Sequence, residues 1–564
     1  MKCFPVGINE RRKIGKIIMM CKRFIGLLMS SFVFFSFVGC NGSDKKTDGS
    51  SDIINGVKYE RILGTQAKKN IAAGEKISYS VNTDIFDKNY IRLQLKTDVR
   101  LFGEFVYSDI NDSTKIVREE FYIDASNGEE EIEFKQFLDA YRSNAIGDFE
   151  KRLQEIAFTN KSEKNGNIAL LGVFISDREF PEEEREIYIS DENIKLGADL
   201  AIGGALTYLE RVSYLAEDGV RYSIDEIVDE NDNVYIGVNA NKKAKKELSS
   251  SVNLLNIWDL GRQFQQSYYA DIGGTPTDPN GANGYQRAYC NTAGNGYYWG
   301  YNPVQGGDCA YNPSQIIDYS MSENVIYVKN RPMDWPKGDQ GKGFGGTVLG
   351  GVTTNSYMES TYTIQKGMVF VENSFIDWTG FTELEETNLC SNELPAAYIA
   401  HPLRNYVCYI GDSTWTNDEV TVKNDLGYWG DSNIDTKHLE DWFALVNDEM
   451  FGVGIYVPNM THFVSGSLVN NSSSKTNSNV GAFNSPLLMH MGNNKREPSS
   501  SLTSCYVYNT NYTAPVQYWR LKSYEKRSYS YAICVDYVQE MRDNFHDIYR
   551  EGKLTNESLS TWDD

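Results

Sequence analysis

The sequence predicts an all-β protein with few helices, built as two sandwich-type units. Three observations lead there. Aromatic residues make up 13% of the 564 residues and include 37 Tyr, and such side chains favour pleated, half-buried surfaces. Short alternating runs bounded by Gly, Asn and Asp recur along the chain. The length exceeds one ordinary core, since domains commonly run to about 100–200 residues. A hydrophobic share of 41% and a charged share of 23% are those of a globular chain. The net charge of −22 repels phosphate backbones and excludes nucleic acid as a main partner.

Residues 1–40 predict an export signal. Lys22 and Arg23 precede an apolar run, Phe24 to Val38, that is short for a membrane helix. The segment ends Phe37-Val38-Gly39-Cys40 and is followed by Asn, Gly, Ser and Asp. It resembles a bacterial lipoprotein signal, which implies lipidation of Cys40 and an extracytoplasmic protein on the cell surface or a periplasmic membrane face. Residues 41–56 then serve as a flexible tether.

Residues 57–186 predict a β-sandwich. Strand-like runs are Ile77–Val81, Ile91–Leu95, Leu101–Tyr107, Glu130–Phe134, Ile156–Phe158 and Ile168–Ile175, with Phe105 and Tyr107 on one face. One helix is expected near Phe134–Arg142. The runs Lys151–Asn160 and Ile168–Val173 look like the late strands of carbohydrate-binding jelly rolls. A charge run, Pro181 to Glu186, marks the boundary.

Residues 187–564 form the second unit. Gly203-Gly204 interrupts a strand from Asp199 to Leu209, as a bulge or a close backbone approach would require. Further strands are expected over Val325–Val328, Asn355–Ile364, Met368–Trp378, Phe451–Val457, Asn511–Arg520 and Ser528–Val535. Along Met368–Trp378 the alternation puts Glu372, Ser374 and Ile376 on one face. Asp536 to Tyr549 reads as a terminal helix, and Ser/Asn-rich residues 466–480 as a loop in the position of a lid over the sheet. The Gly-rich run Gly341 to Gly346 lacks the Lys-Ser/Thr of a phosphate loop.

The stretch Asn256 to Asp308 carries the densest hydrogen-bonding chemistry: Arg262, Gln266, Tyr269, Asn302, Gln305 and Asp308. Guanidinium, amide and carboxylate groups beside aromatic faces suit a sugar; a wet loop packed on a sheet would use the same residues. A second cluster, Glu393 to Tyr406, holds Glu393, Tyr398, His401 and Arg404. Glu393, His401 and Asp308 are the expected acid–base groups. Trp335, Trp378 and Trp442 are expected stacking platforms, with Glu440 and Asp441 beside the last.

The double-glycine strand Ile202-Gly-Gly-Ala205, the Asn253 to Asn256 segment and the Gly261-Arg262 step resemble the opening of galactose-mutarotase-like domains. The resemblance implies a large antiparallel supersandwich and a substrate-binding role for Arg262. The histidine pair of that family has no spacing-matched counterpart.

Beyond Cys40 stand six cysteines: Cys290, Cys309, Cys390, Cys408, Cys505 and Cys534. Outside the cytoplasm they could form disulfides, most economically 290–309, 390–408 and 505–534, or remain thiols. No Cys/His cluster has zinc spacing. No cofactor is expected; the acidic run from Asp229 has the residue types of a structural calcium loop but lacks its spaced ligand pattern. The expected function is that of a surface carbohydrate-active protein taking an oligo- or polysaccharide. Hydrolysis of a neutral glycan is preferred; a polysaccharide lyase and a non-enzymatic glycan-binding lipoprotein are the alternatives. Long-range repulsion by an acidic protein disfavours a polyanionic substrate.

Overall fold

Alternation along Tyr90–Thr97 and Gly166–Ser176 points Leu93, Leu95, Ile168, Leu170 and Val173 inward, and all five are fully buried. Among the described residues such runs pair antiparallel, and the protein is all-β. The computed structural model describes residues 51–54, 57–85, 87–138, 151–179, 185–215, 220–228, 234–243, 252–255, 263–268, 271–272, 302–308, 312–335, 353–378, 387–388, 390–400, 402–423, 439–458, 482–491, 510–519, 523–554 and 556. Among them the one α-helix is Val538–Glu551, and no helix is long and apolar enough to cross a membrane. The signal, the tether, the 341–346 and 466–480 segments and the acidic run at 229–232 lie outside the described residues.

The first sandwich sets a six-stranded sheet against a four-stranded one. The six-stranded sheet runs Ser51–Ile54, Val57–Leu63, Gly166–Ser176, Tyr90–Thr97, Ile132–Phe137, with Lys69–Ile71 also on Gly166–Ser176. The four-stranded sheet runs Lys76–Asp84, Lys151–Asn160, Leu101–Asp109, Ile116–Ile123. Between them Phe121 stacks on Phe105 at 4.4 Å and on Phe134 at 4.7 Å. The helix expected from Phe134 is corrected here: Ile132–Phe137 is a strand paired with Tyr90–Leu95. That pairing buries Phe134 and Phe137 together, so tertiary packing overrides local preference.

The second unit packs two larger sheets face to face. One has nine strands in the order Gln315–Met321, Val325–Arg331, Ser356–Gln365, Met368–Asp377, Arg527–Tyr537, Phe451–Tyr456, Trp442–Val446, Asn405–Cys408, Thr421–Lys423. The other runs Met333–Asp334, Pro303–Val304, Gln265–Ser267, Cys390–Ala400, Thr510–Trp519, Ala482–Met491. Tyr268 stacks on Phe375 at 4.0 Å and Phe264 on Tyr531 at 5.5 Å across the gap. The double glycine ends a 3-10 turn at Leu200–Ile202 rather than breaking a strand. Both glycines have positive φ, and a Cβ on Gly203 would stand 2.0 Å from the Gln305 carbonyl oxygen. The close approach inferred at this dipeptide is to the protein's own backbone.

The two sandwiches belong to one compact unit, Gly49–Asp564. Arg178 sits among the rings of Tyr90, Phe137 and Tyr319 at 4.7, 5.0 and 4.8 Å. It donates to Asp318, which also accepts from the Tyr90 hydroxyl at 2.6 Å. Buried Arg331 donates to the Glu120 carbonyl and lies 5.2 Å from the Trp378 ring. These contacts seat one edge of the first sandwich on the outer face of the nine-stranded sheet. The helix Val538–Glu551 covers another part of that face, with Met541, Phe545 and Ile548 packed around Ala532, Cys534 and Tyr456. Between the two covers lies a strip of sheet bearing Glu359, Thr361, Glu372, Ser374 and Ser528.

Candidate functional site

The amide-rich stretch that suggests a sugar site holds the two sheets together instead. Gln266 is fully buried; its Nε2 donates to Ser360 Oγ at 2.8 Å and to the Glu359 carbonyl at 2.9 Å. Its Oε1 accepts from the Tyr268 hydroxyl at 2.7 Å. Asn302 Nδ2 donates to the Tyr268 carbonyl at 2.6 Å. Gln305 Oε1 accepts from the Gln266 amide at 3.1 Å, and its Nε2 donates to the Tyr362 hydroxyl at 3.1 Å. Asp308 accepts from the Asn312 backbone and side chain at 2.8–3.1 Å. All four expected site residues are buried and spend their hydrogen bonds on the protein, so a dissolved sugar cannot reach them.

Two expected platforms are corrected on the same ground. Trp378 is buried beneath Arg331 and beside Tyr122. Trp442 is fully buried, and its indole N–H donates to Glu440 at 2.6 Å. Glu440 is itself locked to Arg542 by bonds of 2.9 and 2.6 Å. Trp335 is half-buried, as is Glu393, which is paired with Ser267 and Val516 on the flanking strands. Arg262, Tyr269 and His401 lie outside the described residues, as do Cys40, Cys290, Cys309, Cys505 and the side chain of Cys390. Cys408 and Cys534 are both buried, and the expected 390–408 and 505–534 pairings turn on partner side chains outside the described residues. Cys534 faces the helix, with its Sγ 3.6 Å from Asn544 Nδ2, and burial pushes its thiol up to about 12. Among the described residues no group of three His, Cys, Asp or Glu could hold a metal ion.

The polar chemistry that does reach solvent centres on Glu359. Pairing of Ser356–Gln365 with Val325–Arg331 and Met368–Asp377 puts Lys329, Glu359 and Ser374 in one row on the outer face. Glu359 Oε2 accepts from Ser374 Oγ at 2.9 Å and from Lys526 Nζ at 3.0 Å. Its Oε1 lies 3.3 Å from Lys329 Nζ and accepts from the Tyr327 hydroxyl at 3.4 Å. The Glu359 side chain is 26% exposed and that of Lys526 43%. Burial by itself would raise the Glu359 carboxyl; Lys329 and Lys526 outweigh it and hold the group down to about 2. Lys329 is braced from behind by the rings of Tyr357 at 4.4 Å and Phe134 at 5.2 Å, the latter from the first sandwich.

One row further along the face, Thr361 is paired with exposed Glu372. Glu359 and Glu372 are therefore diagonal cross-strand neighbours, with backbones about 7–8 Å apart. The alternation of Met368–Trp378 makes Glu372 and Ser374 legible as face-mates. It gives no sign of Glu359, Lys329 and Lys526, which reach the row from three other strands or turns.

No known protein family matches the sequence, and no curated protein matches it. Among solved structures, a family 29 carbohydrate-binding module is 13% identical over 23% of this chain and 76% of its own, with a TM-score of 0.14. A variant of that module complexed with cellulohexaose scores 0.14 at 12% identity, over 23% of this chain and 75% of its own. The 4-alpha-glucanotransferase of Thermococcus litoralis scores 0.24 at 8% identity, over 63% of this chain and 38% of its own. Overlap this slight decides nothing about the function of the present protein.

Proposed function

We propose that the protein binds a neutral glycan along the Glu359 strip of the nine-stranded sheet, as an exported lipoprotein anchored through Cys40. One observation carries this: a carboxylate held low by two ammonium groups and bonded by two hydroxyls, partly exposed with Lys526 and Glu372 on the strip of sheet between two covers. Each sugar hydroxyl both donates and accepts. A carboxylate beside a lysine offers adjacent hydroxyls one acceptor and one donor, and such charge-assisted bonds are short and strong. The charges of the strip nearly cancel, while the chain as a whole is strongly acidic, which favours an uncharged glycan over a uronate.

Glu359→Gln keeps the shape and removes the charge. It is expected to weaken binding by about tenfold to a hundredfold, since a bond to a charged group is worth about 1.5–3 kcal/mol. Titration calorimetry with soluble neutral polysaccharides checks this; unchanged affinity removes the glycan from this strip.

Hydrolysis of that glycan is favoured by the diagonal placement of Glu359 and Glu372. Glycosidases need two carboxyls about 5–10 Å apart on either side of the scissile bond. Glu359, held low by its lysines, would then be base or nucleophile, and Glu372 the second carboxyl across the bond. Glu372→Gln is expected to cut release of reducing ends at least about a hundredfold while leaving binding in place. A wild-type protein that binds glycan and releases no reducing ends leaves a binding lipoprotein.

A further inference from the structure

We infer a second sugar-binding site, a stacking platform built on Trp415, Tyr549 and His546. Trp415 sits in the turn between Asn405–Cys408 and Thr421–Lys423, the two strands at the far edge of the nine-stranded sheet. Five strand spacings separate Asn405–Cys408 from the strand of Glu359, about 24 Å at ordinary strand separation. The platform is thus distinct from the Glu359 strip, with the C-terminal helix between them.

Trp415 is a large, half-buried aromatic in a mostly polar turn. Asp412 to Thr414 on one side and Thr416 to Glu419 on the other are polar and exposed. Its indole lies nearly parallel to His546, 5.2 Å away at 9°, and to Tyr549, 5.2 Å away at 26°. His546 and Tyr549 are three residues apart on the helix and so present their rings side by side. Tyr549 is 53% exposed.

The turn is held from beneath by groups that are themselves fixed. The backbone N–H of Trp415 donates to buried Glu440 at 2.5 Å. Arg542, which grips the same carboxylate, also donates to the Asp418 carbonyl at 2.7 Å. The Tyr409 hydroxyl donates to the Ser413 carbonyl at 2.6 Å and accepts from the Ser413 N–H at 2.9 Å. Trp415 has φ of +58°, costly for a bulky side chain and sustained here by those three anchors. A rigid, pre-oriented aromatic surface loses little entropy when a ligand lies on it.

The rim selects the ligand. An apolar protein partner would take the exposed acids Asp412, Asp418 and Glu419 out of water, at a large desolvation cost. A pyranose ring matches both parts: its C–H face lies on the aromatic stack, and its equatorial hydroxyls meet the carboxylates and hydroxyls around it. Anionic sugars are repelled by the same acids, so a neutral glycan is the fitting occupant.

The test is affinity electrophoresis of the protein through gels containing hydroxyethylcellulose, xylan, glucomannan or soluble starch. Wild type is compared with Tyr549→Ala, Trp415→Ala, Glu359→Gln and the Glu359→Gln/Tyr549→Ala double variant. Tyr549→Ala, at an exposed position, is expected to weaken retardation about fivefold to tenfold in the polysaccharide that retards wild type, the scale of one aromatic contact. Trp415→Ala should do so at least as strongly, and the Tyr549→Ala loss should persist in the Glu359→Gln background. Retardation of Tyr549→Ala equal to wild type overturns the platform, and leaves the Glu359 strip standing if Glu359→Gln alone loses binding. Loss in the Tyr549 and Trp415 variants with Glu359→Gln unaffected does the reverse. Wild type unretarded in all four gels overturns both.

Discussion

Arg542→Ala is expected to lower the unfolding free energy by about 3–5 kcal/mol, the scale for stranding one partner of a buried ion pair. Arg542 and Glu440 are almost completely buried and joined by two bonds of 2.9 and 2.6 Å. The guanidinium also lies 4.4 Å from the Tyr409 ring. Alanine removes all of this and leaves the Glu440 carboxylate in an apolar pocket, facing only the Trp442 indole and the Trp415 amide. Replacing both partners, as Glu440→Gln with Arg542→Met, leaves no buried charge and is expected to recover most of the loss. Urea unfolding followed by fluorescence measures both. A loss below about 1 kcal/mol for Arg542→Ala would mean that water already reaches the pair.

Glu119 is expected to make the protein less stable as pH rises. It lies inside the first sandwich, accepting from the Tyr107 hydroxyl at 3.0 Å and from the Gln136 side chain. Burial raises its carboxyl to about 7, against the smaller opposing effects of Tyr107, Arg331, Lys151 and Gln136. The folded protein therefore holds a proton on Glu119 that the unfolded chain releases at its ordinary value of 4.5. The stability this contributes is fully present below pH ~4.5 and is lost as pH rises through ~7, about 3 kcal/mol in all. Glu119→Gln can keep both hydrogen bonds and cannot ionise. Its unfolding free energy relative to wild type should rise by about that amount between pH 4.5 and pH 8. Two parallel pH profiles would show that the native carboxyl is not displaced. The Glu359 carboxyl has the opposite sign: held low by its lysines, its contribution is lost as pH falls from ~4.5 toward ~2.

The strands were largely readable because period-two alternation states which face is buried. Leu101–Asp109, Met368–Asp377 and Arg527–Tyr537 overlap the expected runs, and Val538–Glu551 the expected helix. The strand Ile132–Phe137 was readable only as far as Phe134; its last residues read as a helix start, because their state depends on the partner strand Tyr90–Thr97 rather than on their own pattern. Val57–Leu63 and Ile116–Ile123 escaped for a related reason: charged residues interrupt both, and only pairing makes them strands.

The site was harder. Gln266, Asn302, Gln305 and Asp308 have the chemistry of a sugar site, and composition cannot say whether amides face a ligand or a backbone. Glu440 and Trp442 look like an acid beside a platform, yet Arg542, a hundred residues on, draws both inside. Trp415 looks like one aromatic in a polar turn until the helix brings His546 and Tyr549 beneath it.

The sequence by itself determined the all-β class, the helix at the end, the strongly acidic charge and the placing of Glu372 and Ser374 on one face of a strand. These follow from local periodicity and summed charge, which need no knowledge of distant neighbours. Only the tertiary structure decided which polar residues are buried ties and which face solvent. Burial depends on which sheet lies across from which, and Lys329, Glu359, Ser374 and Lys526 become one group only when separate strands are set side by side.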